Sequence, residues 1–237
     1  MPSIFLTAEW RKLIMANYPV DPSVLREFLP ARTELDVWEG KTYVSLVGFQ
    51  FREVRVRGLR IPLHVHFPEV NLRFYVRYKE GAIWKRGVVF VSEIVPKPAI
   101  TWVANTLFRE HYVSLPMRVV ESRVDRVISV GYGWKYKGRW NELSVNAAIP
   151  AHPLETGSPE EFITEHFWGY AQAGRDRTGE YQVAHPCWEI YTVQEYAIDC
   201  DFAGLYGTGF SDLAGRAPES VFLAEGSGVK VYTKRNV

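Results

Sequence analysis

A chain of 237 residues, 47% apolar and 23% charged, has the hydrophobic mass for a full core, which excludes extended disorder and any need for disulfide staples. A formal net charge of +1, with both signs spread along the sequence, gives no electrostatic basis for a nucleic-acid or anionic-membrane partner. No run approaches the roughly 18 apolar residues of a membrane span, and Glu9, Arg11 and Lys12 interrupt the first apolar stretch where a signal peptide needs an uncharged one; one cytoplasmic domain, residues 1–237, is expected.

In chain order, the first predicted element is a short helix. Asp21 is placed to cap it, Pro22 fits its first turn and Pro30 stops it. From Glu69 to Arg77 the pattern changes to period two. Val70, Leu72, Phe74 and Val76 share one strand face, and Glu69, Asn71, Arg73, Tyr75 and Arg77 share the other. Gly87 to Val91 reads as a further strand. Pro98 then opens a helix in which Ile100, Val103, Ala104, Leu107 and Phe108 recur at helical spacing. Val119 to Val130 returns to strand, and Tyr132, Trp134 and Tyr136 lead into a Lys137-Gly138 turn with Trp140 on the return arm, a hairpin signature. Ser158-Pro159-Glu160-Glu161 is a capping box; the helix it opens is predicted to carry Phe162, Ile163, His166, Phe167 and Tyr170 on one face and to end at Gly174. Val221 to Tyr232 supplies one or two last strands. Eight Trp, 13 Tyr and 13 Phe suit pleated surfaces. The expected fold is mainly β, a barrel or strongly curved sheet, with a few short helices outside it or plugging an end.

The polar face at Glu69, Asn71, Arg73, Tyr75 and Arg77 admits two readings. It is a solvated outer sheet face, or it lines a barrel mouth, where an arginine offers a bidentate clamp for a carboxylate and a Glu–Asn pair offers hydrogen bonds or proton transfer. His64 and His66 share a strand face near Glu69, but a metal site needs three or four converging ligands. His111, His152, His166 and His185 are scattered, so no metal is expected. There is no Gly-x-Ser-x-Gly elbow, and Cys187, between Pro186 and Trp188, reads as a small buried hydrophobe. Gly204, Gly207, Gly209 and Gly215 have the wrong spacing for a dinucleotide loop and read as a flexible surface loop; no cofactor is expected. Lys135, Lys137 and Arg139 interleave with Trp134, Tyr136 and Trp140, a pattern suited to stacking bases. A hairpin with an aromatic core face explains it without nucleic acid.

Several multi-residue blocks stand in an order that resembles one family. They are Phe5-Leu6-Thr7-Ala8-Glu9-Trp10-Arg11, Tyr43-Val44-Ser45-Leu46-Val47-Gly48-Phe49, the Glu69 to Arg77 strand, Gly87-Val88-Val89-Phe90, Glu93-Ile94-Val95-Pro96 and His185-Pro186-Cys187-Trp188. Through nearly its whole length the chain is similar to the YqjF-like family of uncharacterised bacterial proteins, placed within the acetoacetate-decarboxylase-like superfamily. The resemblance implies a cone-shaped antiparallel β-barrel with a central pocket. It also implies that Glu69 corresponds to an acidic residue lining that pocket. The decarboxylases of the superfamily form a Schiff base through a lysine of depressed pKa, in a Pro-Lys-Lys signature after a short helix. Here the comparable stretch reads Glu110-His111-Tyr112-Val113-Ser114-Leu115, without a lysine, and Lys97 precedes the helix; acetoacetate decarboxylation itself is not expected.

These readings converge on a pocket for a small carboxylate or carbonyl compound. Glu69, Glu93 and His111 are the catalytic candidates, with Lys97 an outside candidate for Schiff-base chemistry. Asn71, Arg73 and Tyr112 are the candidates for holding substrate. A non-catalytic ligand-binding barrel and an interaction module with an exposed polar strand are the alternatives.

Overall fold

Long period-two runs make strands the dominant element. The computed structural model describes residues 2–107 and 109–237. The first strands are β1 (Ile4–Val20), β2 (Thr33–Leu35), β3 (Thr42–Val56), β4 (Phe67–Glu80) and β5 (Ile83–Val95). After helices α1 (Pro22–Leu25) and α2 (Pro98–Leu107) come β6 (Tyr112–Ser114), β7 (Met117–Val124), β8 (Val127–Tyr136), β9 (Arg139–Ala148) and β10 (His152–Pro153). Helix α3 (Pro159–Thr164) precedes β11 (Trp168–Gly174), β12 (Arg177–Ala184), β13 (Glu189–Tyr191) and β14 (Val193–Asp199). Helix α4 (Phe202–Tyr206), β15 (Ser220–Tyr232) and β16 (Arg235–Asn236) complete the set.

The larger sheet runs β15-β1-β3-β4-β5-β11-β12, and β12 pairs back onto β15 at Val183↔Val231, so the hydrogen-bonded path forms a ring. Its neighbours are antiparallel except β5 and β11, which run parallel where Trp168 and Gly169 meet Gly87 and Val88. The buried carboxylate of Glu180 ties this region together. It accepts from Lys85 Nζ at 3.1 Å, Tyr170 OH at 3.1 Å and Arg235 Nε at 2.8 Å, linking β5, β11, β12 and β16. A buried charge satisfied on several sides is structural, and removing a partner costs about 3–5 kcal/mol.

A second, four-stranded antiparallel sheet, β14-β9-β8-β7, packs on the outside of the ring. Val44, Leu46, Val70 and Leu72 of the ring meet Tyr132, Trp134, Leu143 and Val145 of that sheet in one core. The opposite face of the same ring strands sends Val47, Phe49, Phe51, Phe67 and Tyr75 inward to a second core with Phe162. Burying each such side chain contributes about 1.5–3 kcal/mol. The period of two therefore divides β4: its aliphatic residues fill the space between the sheets, and Glu69, Asn71, Arg73 and Tyr75 turn into the ring, all buried. Arg77, past the covered stretch, is half-buried and bonds Glu34 instead.

The caps form where the sequence places them. Asp21 Oδ1 accepts from Ser23 N at 2.7 Å, and Ser158 Oγ accepts from Glu161 N at 3.1 Å. The two-residue Lys137-Gly138 turn has φ of 46° and 84°, both positive as a tight hairpin of this kind requires. Helix α2 spans Pro98–Leu107, and Phe108 lies outside the described residues. Three expectations change. The helix after Ser158 ends at Thr164, and Trp168 to Gly174 is a strand. Pairing with β5 and β12 satisfies its backbone and closes the ring, which overrides a helical spacing read across Gly169. The glycine-rich stretch after Asp201 is not a loose loop, because α4 and a 3-10 turn over Thr208–Leu213 bury Phe202, Tyr206, Phe210 and Leu213. Cys187 is exposed, while Cys200 is buried; Trp188 takes the inward position beside Trp10 and sends its neighbour out.

Gly48 of β3 lies where the two sheets meet, and a Cβ there would sit 2.5 Å from Tyr132 Cδ2 and 3.3 Å from Leu143 Cδ2. Both are fully buried, so neither can move aside freely. Gly48→Ala is therefore expected to destabilise the chain by about 1–3 kcal/mol, seen as a lower urea midpoint with an unchanged slope.

Candidate functional site

The ring encloses a cavity of about 250 Å³. Glu69, Asn71 and Arg73 of β4 line it, with Val88, Phe90 and Glu93 of β5. Phe90 and Glu93 are three apart and yet face the same way, because the β4–β5 register shifts between Leu72↔Ser92 and Arg73↔Phe90. A bulge of this kind adds one residue to β5 and reverses the alternation beyond it. Helix α3 and His166 cover one end, while the 57–66 loop and α2 border the other.

Three glutamates meet in this cavity, with Glu69 and Glu93 each 2% exposed and Glu110 6%. Asn71 Nδ2 donates to Glu69 Oε1 at 2.9 Å, and Tyr112 OH donates to Glu69 Oε2 at 3.1 Å. Tyr112 is positioned from two sides. Its strand runs parallel to β5, in register with Glu93, and Asn105 of α2 bonds both its N–H (2.8 Å) and its carbonyl (3.0 Å). Burial pushes the Glu69 carboxyl up to about 7 against the opposing pull of Asn71, Tyr112 and Arg73. Burial, then the neighbouring Glu110 and Glu69, holds Glu93 well above the usual carboxylate range. Burial likewise raises Glu110 to about 7, opposed by Lys234 and Tyr181. The cluster titrates as a set, and near neutral pH it holds both proton donors and a proton acceptor.

Arg73 lies deeper along β4. It is 8% exposed; Nη2 donates to the Ile163 carbonyl at 3.3 Å and meets Met15 Sδ at 3.8 Å, and Nε has no partner. No carboxylate among the described residues lies within 4.0 Å of its guanidinium. Beside it, Asp36 Oδ2 accepts from Arg86 Nε at 2.6 Å and faces His166 Nε2 at 3.0 Å. Burial works against the Asp36 charge, but those two partners hold its carboxyl below the ordinary value. Burial pushes His166 down to about 4, so its imidazole is neutral, and Nδ1 is buried without a hydrogen-bond partner.

The structure brings Glu69, Asn71, Arg73, Glu93 and Tyr112 together around one space. It does not bring His111 or Lys97 there. The His111 side chain is exposed, since Tyr112 takes the inward position and His111 contributes only its carbonyl, which accepts from Glu93 N and Ser92 Oγ. Lys97 occupies the turn from β5 into α2. Its carbonyl accepts from Ile100 N and Thr101 N, its side chain is half-buried, and no described residue lining the cavity is a lysine. Sequence reasoning missed Glu110, Tyr181, Asp36 and His166. Asp36 and His166 are 130 residues apart, and no local pattern links them; Glu110 begins the block compared with the decarboxylase signature.

Residues 7–228 match the model of the DUF2071 family, described as an uncharacterized conserved protein. The chain belongs to this family. It is 36% identical over 110 residues to the uncharacterized protein YqjF of Bacillus subtilis (strain 168), a match covering 46% of this chain and 44% of that protein. Its fold is shared with acetoacetate decarboxylase from Legionella pneumophila, at a TM-score of 0.67 and 12% identity over 100% of this chain and 88% of that one. It is shared too with the enduracididine biosynthesis enzyme MppR complexed with pyruvate, at 0.67 and 15% over 100% and 91% of the two chains. An acetoacetate decarboxylase-like enzyme from Sphingomonas wittichii RW1 aligns at 0.66 and 12%, over 99% and 93%. The family and the β-rich decarboxylase-like fold agree with the resemblance carried by the sequence blocks. At these identities the structural likeness is one of fold.

A raised folded-state pKa has a direct consequence for stability. Glu69 binds its proton more tightly folded than unfolded, so its contribution is fully present below about pH 4.5 and is lost as pH rises through about 7. The Glu69→Gln variant, which cannot ionise, is expected to gain melting temperature over the unsubstituted chain at pH 8 and to lose that advantage at pH 5. Thermal unfolding at the two pH values checks this.

Proposed function

We propose that the chain binds a small carboxylate-bearing carbonyl compound in this cavity and moves protons on it. One observation carries the reading: the guanidinium of Arg73, buried in a cavity wall, has no carboxylate partner among the described residues. A desolvated cation of this kind is strongly unfavourable until an anion pairs with it, and a guanidinium fits a carboxylate through two parallel N–H donors. The fold neighbour MppR is complexed with pyruvate, a ligand of this chemistry.

No described residue lining the cavity is a lysine, and the scheme runs on the acids and bases that do line it. In the ionised fraction present near pH 7, Glu69 takes the proton from the carbon next to the carbonyl. Protonated Glu93 gives its proton to the carbonyl oxygen, and an enol results with charge and atoms balanced. Asn71 and Tyr112 hold Glu69 in place, and Tyr112 raises the polarity at that end of the site. Arg73 holds the carboxylate. His111 and Lys97 have no part in this scheme.

The test is exchange of the pyruvate methyl protons in deuterated water, followed by proton NMR. The expected result is exchange faster than in buffer, rising with pH through about 7 as Glu69 ionises. Glu69→Gln is expected to lower the rate about 10²- to 10⁴-fold. Arg73→Met is expected to raise the half-saturating pyruvate concentration about 10- to 100-fold, the loss of a charge-assisted hydrogen bond. Pyruvate that binds without exchange would leave a ligand-binding protein; pyruvate that neither binds nor exchanges would sink the reading.

A further inference from the structure

We infer that the ligand carries a single carboxylate on its head and an uncharged apolar tail, aromatic or branched, which fills the mouth half of the cavity; this deepens the reading above and rests on Arg73 as the carboxylate holder. Polarity is sorted along β4. From the covered end outward, the residues facing the cavity are Arg73, Asn71, Glu69 and Phe67. At about 3.3 Å per residue, Arg73 and Phe67 are roughly 20 Å apart along the strand. On β3, the strand beside β4, the facing residues are apolar throughout. Val47 lies opposite Asn71, Phe49 opposite Glu69 and Phe51 opposite Phe67.

At the Phe67 level the wall is aromatic. Phe51 stacks on Phe67 with centroids 4.8 Å apart, and Trp10 of β1 meets Phe49 at 5.4 Å, Phe51 at 6.0 Å and Trp188 at 6.3 Å. Beyond it, α2 turns Ala99, Ile100, Val103 and Ala104 to the opening, and the 57–66 loop adds Ile61 and His64. Every Asp, Glu, Lys or Arg among the described lining residues belongs to the head cluster: Glu69, Arg73, Glu93 and Glu110.

Two consequences follow for the ligand. A three-carbon keto acid held at Arg73 leaves the aromatic half of a 250 Å³ space without partner atoms, and apolar surface in such a void is better covered by a hydrocarbon group than by water, which needs polar partners. A second charge on the tail would meet aromatic rings and helix methyls, with only the His64 and His185 imidazoles and no Asp, Glu, Lys or Arg among the described lining residues there to face it, an unfavourable burial. Tail and single head charge are thus selected by the same wall.

Calorimetric titration of the full chain with pyruvate, phenylpyruvate, α-ketoglutarate and the neutral phenylacetone tests this. Phenylpyruvate is expected to bind about 10- to 100-fold more tightly than pyruvate, from burial of the ring, and α-ketoglutarate no more tightly than pyruvate. Ala104→Trp, on the half-buried side of α2, is expected to remove the phenylpyruvate advantage and leave pyruvate binding unchanged. Equal affinity for pyruvate and phenylpyruvate, with pyruvate still dependent on Arg73, would overturn the tail and leave the head. Phenylacetone binding as tightly as phenylpyruvate would overturn the single-carboxylate requirement. No binding of any of the four would remove Arg73 as the holder first, and the tail with it.

Discussion

The burial of one charged strand face inside the ring is the constraint on which the site depends. Strand β4 has aliphatic residues on one side and Glu69, Asn71 and Arg73 on the other, and both sides are removed from water. A second sheet laid over the aliphatic side makes this possible. Val70 and Leu72 are then satisfied by Tyr132, Trp134 and Leu143 from outside, which leaves the polar side to line the interior. Without that outer sheet the strand would turn its aliphatic face to the ring core and its charges to solvent, the ordinary arrangement of a one-sided sheet.

Once the charges are inside, low polarity sets their chemistry. Water that would solvate a carboxylate is excluded, so Glu69, Glu93 and Glu110 are pushed toward their neutral forms, and neutral carboxyls at pH 7 can donate as well as accept. The molecule treats other buried charges differently. Glu180 is surrounded by Lys85, Tyr170 and Arg235 and has its full complement of donors. Arg73 has a carbonyl, a thioether and the Tyr75 ring, whose centroid lies 5.7 Å from the guanidinium carbon. Glu180 is thus paired by groups of its own chain, whereas no carboxylate of the described residues lies within 4.0 Å of the Arg73 guanidinium.

The bulge at the β4–β5 pairing and the parallel strand β6 complete the arrangement. Strict alternation from Phe90 would send Glu93 outward; one inserted residue brings it in. The parallel pairing of β6 with β5 then places Tyr112 beside it, and the same alternation that admits Tyr112 excludes His111. Asp36, Arg86 and His166 form a further buried set at the covered end. It comes from three separate segments, and tertiary packing alone assembles it.

What the sequence determined by itself was local in origin. The period of two placed Val70, Leu72, Phe74 and Val76 opposite Glu69, Asn71 and Arg73, the capping residues Asp21 and Ser158 marked helix starts, and Lys137-Gly138 marked a hairpin, because each follows from neighbours a few residues apart. Only the tertiary structure decided which strand face is the inside, since a face has no inside until other strands close around it. It also decided that Trp168 to Gly174 is a strand, because pairing with β5 and β12 satisfies more of the backbone than an isolated helical turn would. Glu110 beside Glu93 and His166 beside Asp36 were out of reach for the same reason: a pocket is a meeting of distant segments, and ring closure, not spacing along the chain, sets the distances within it.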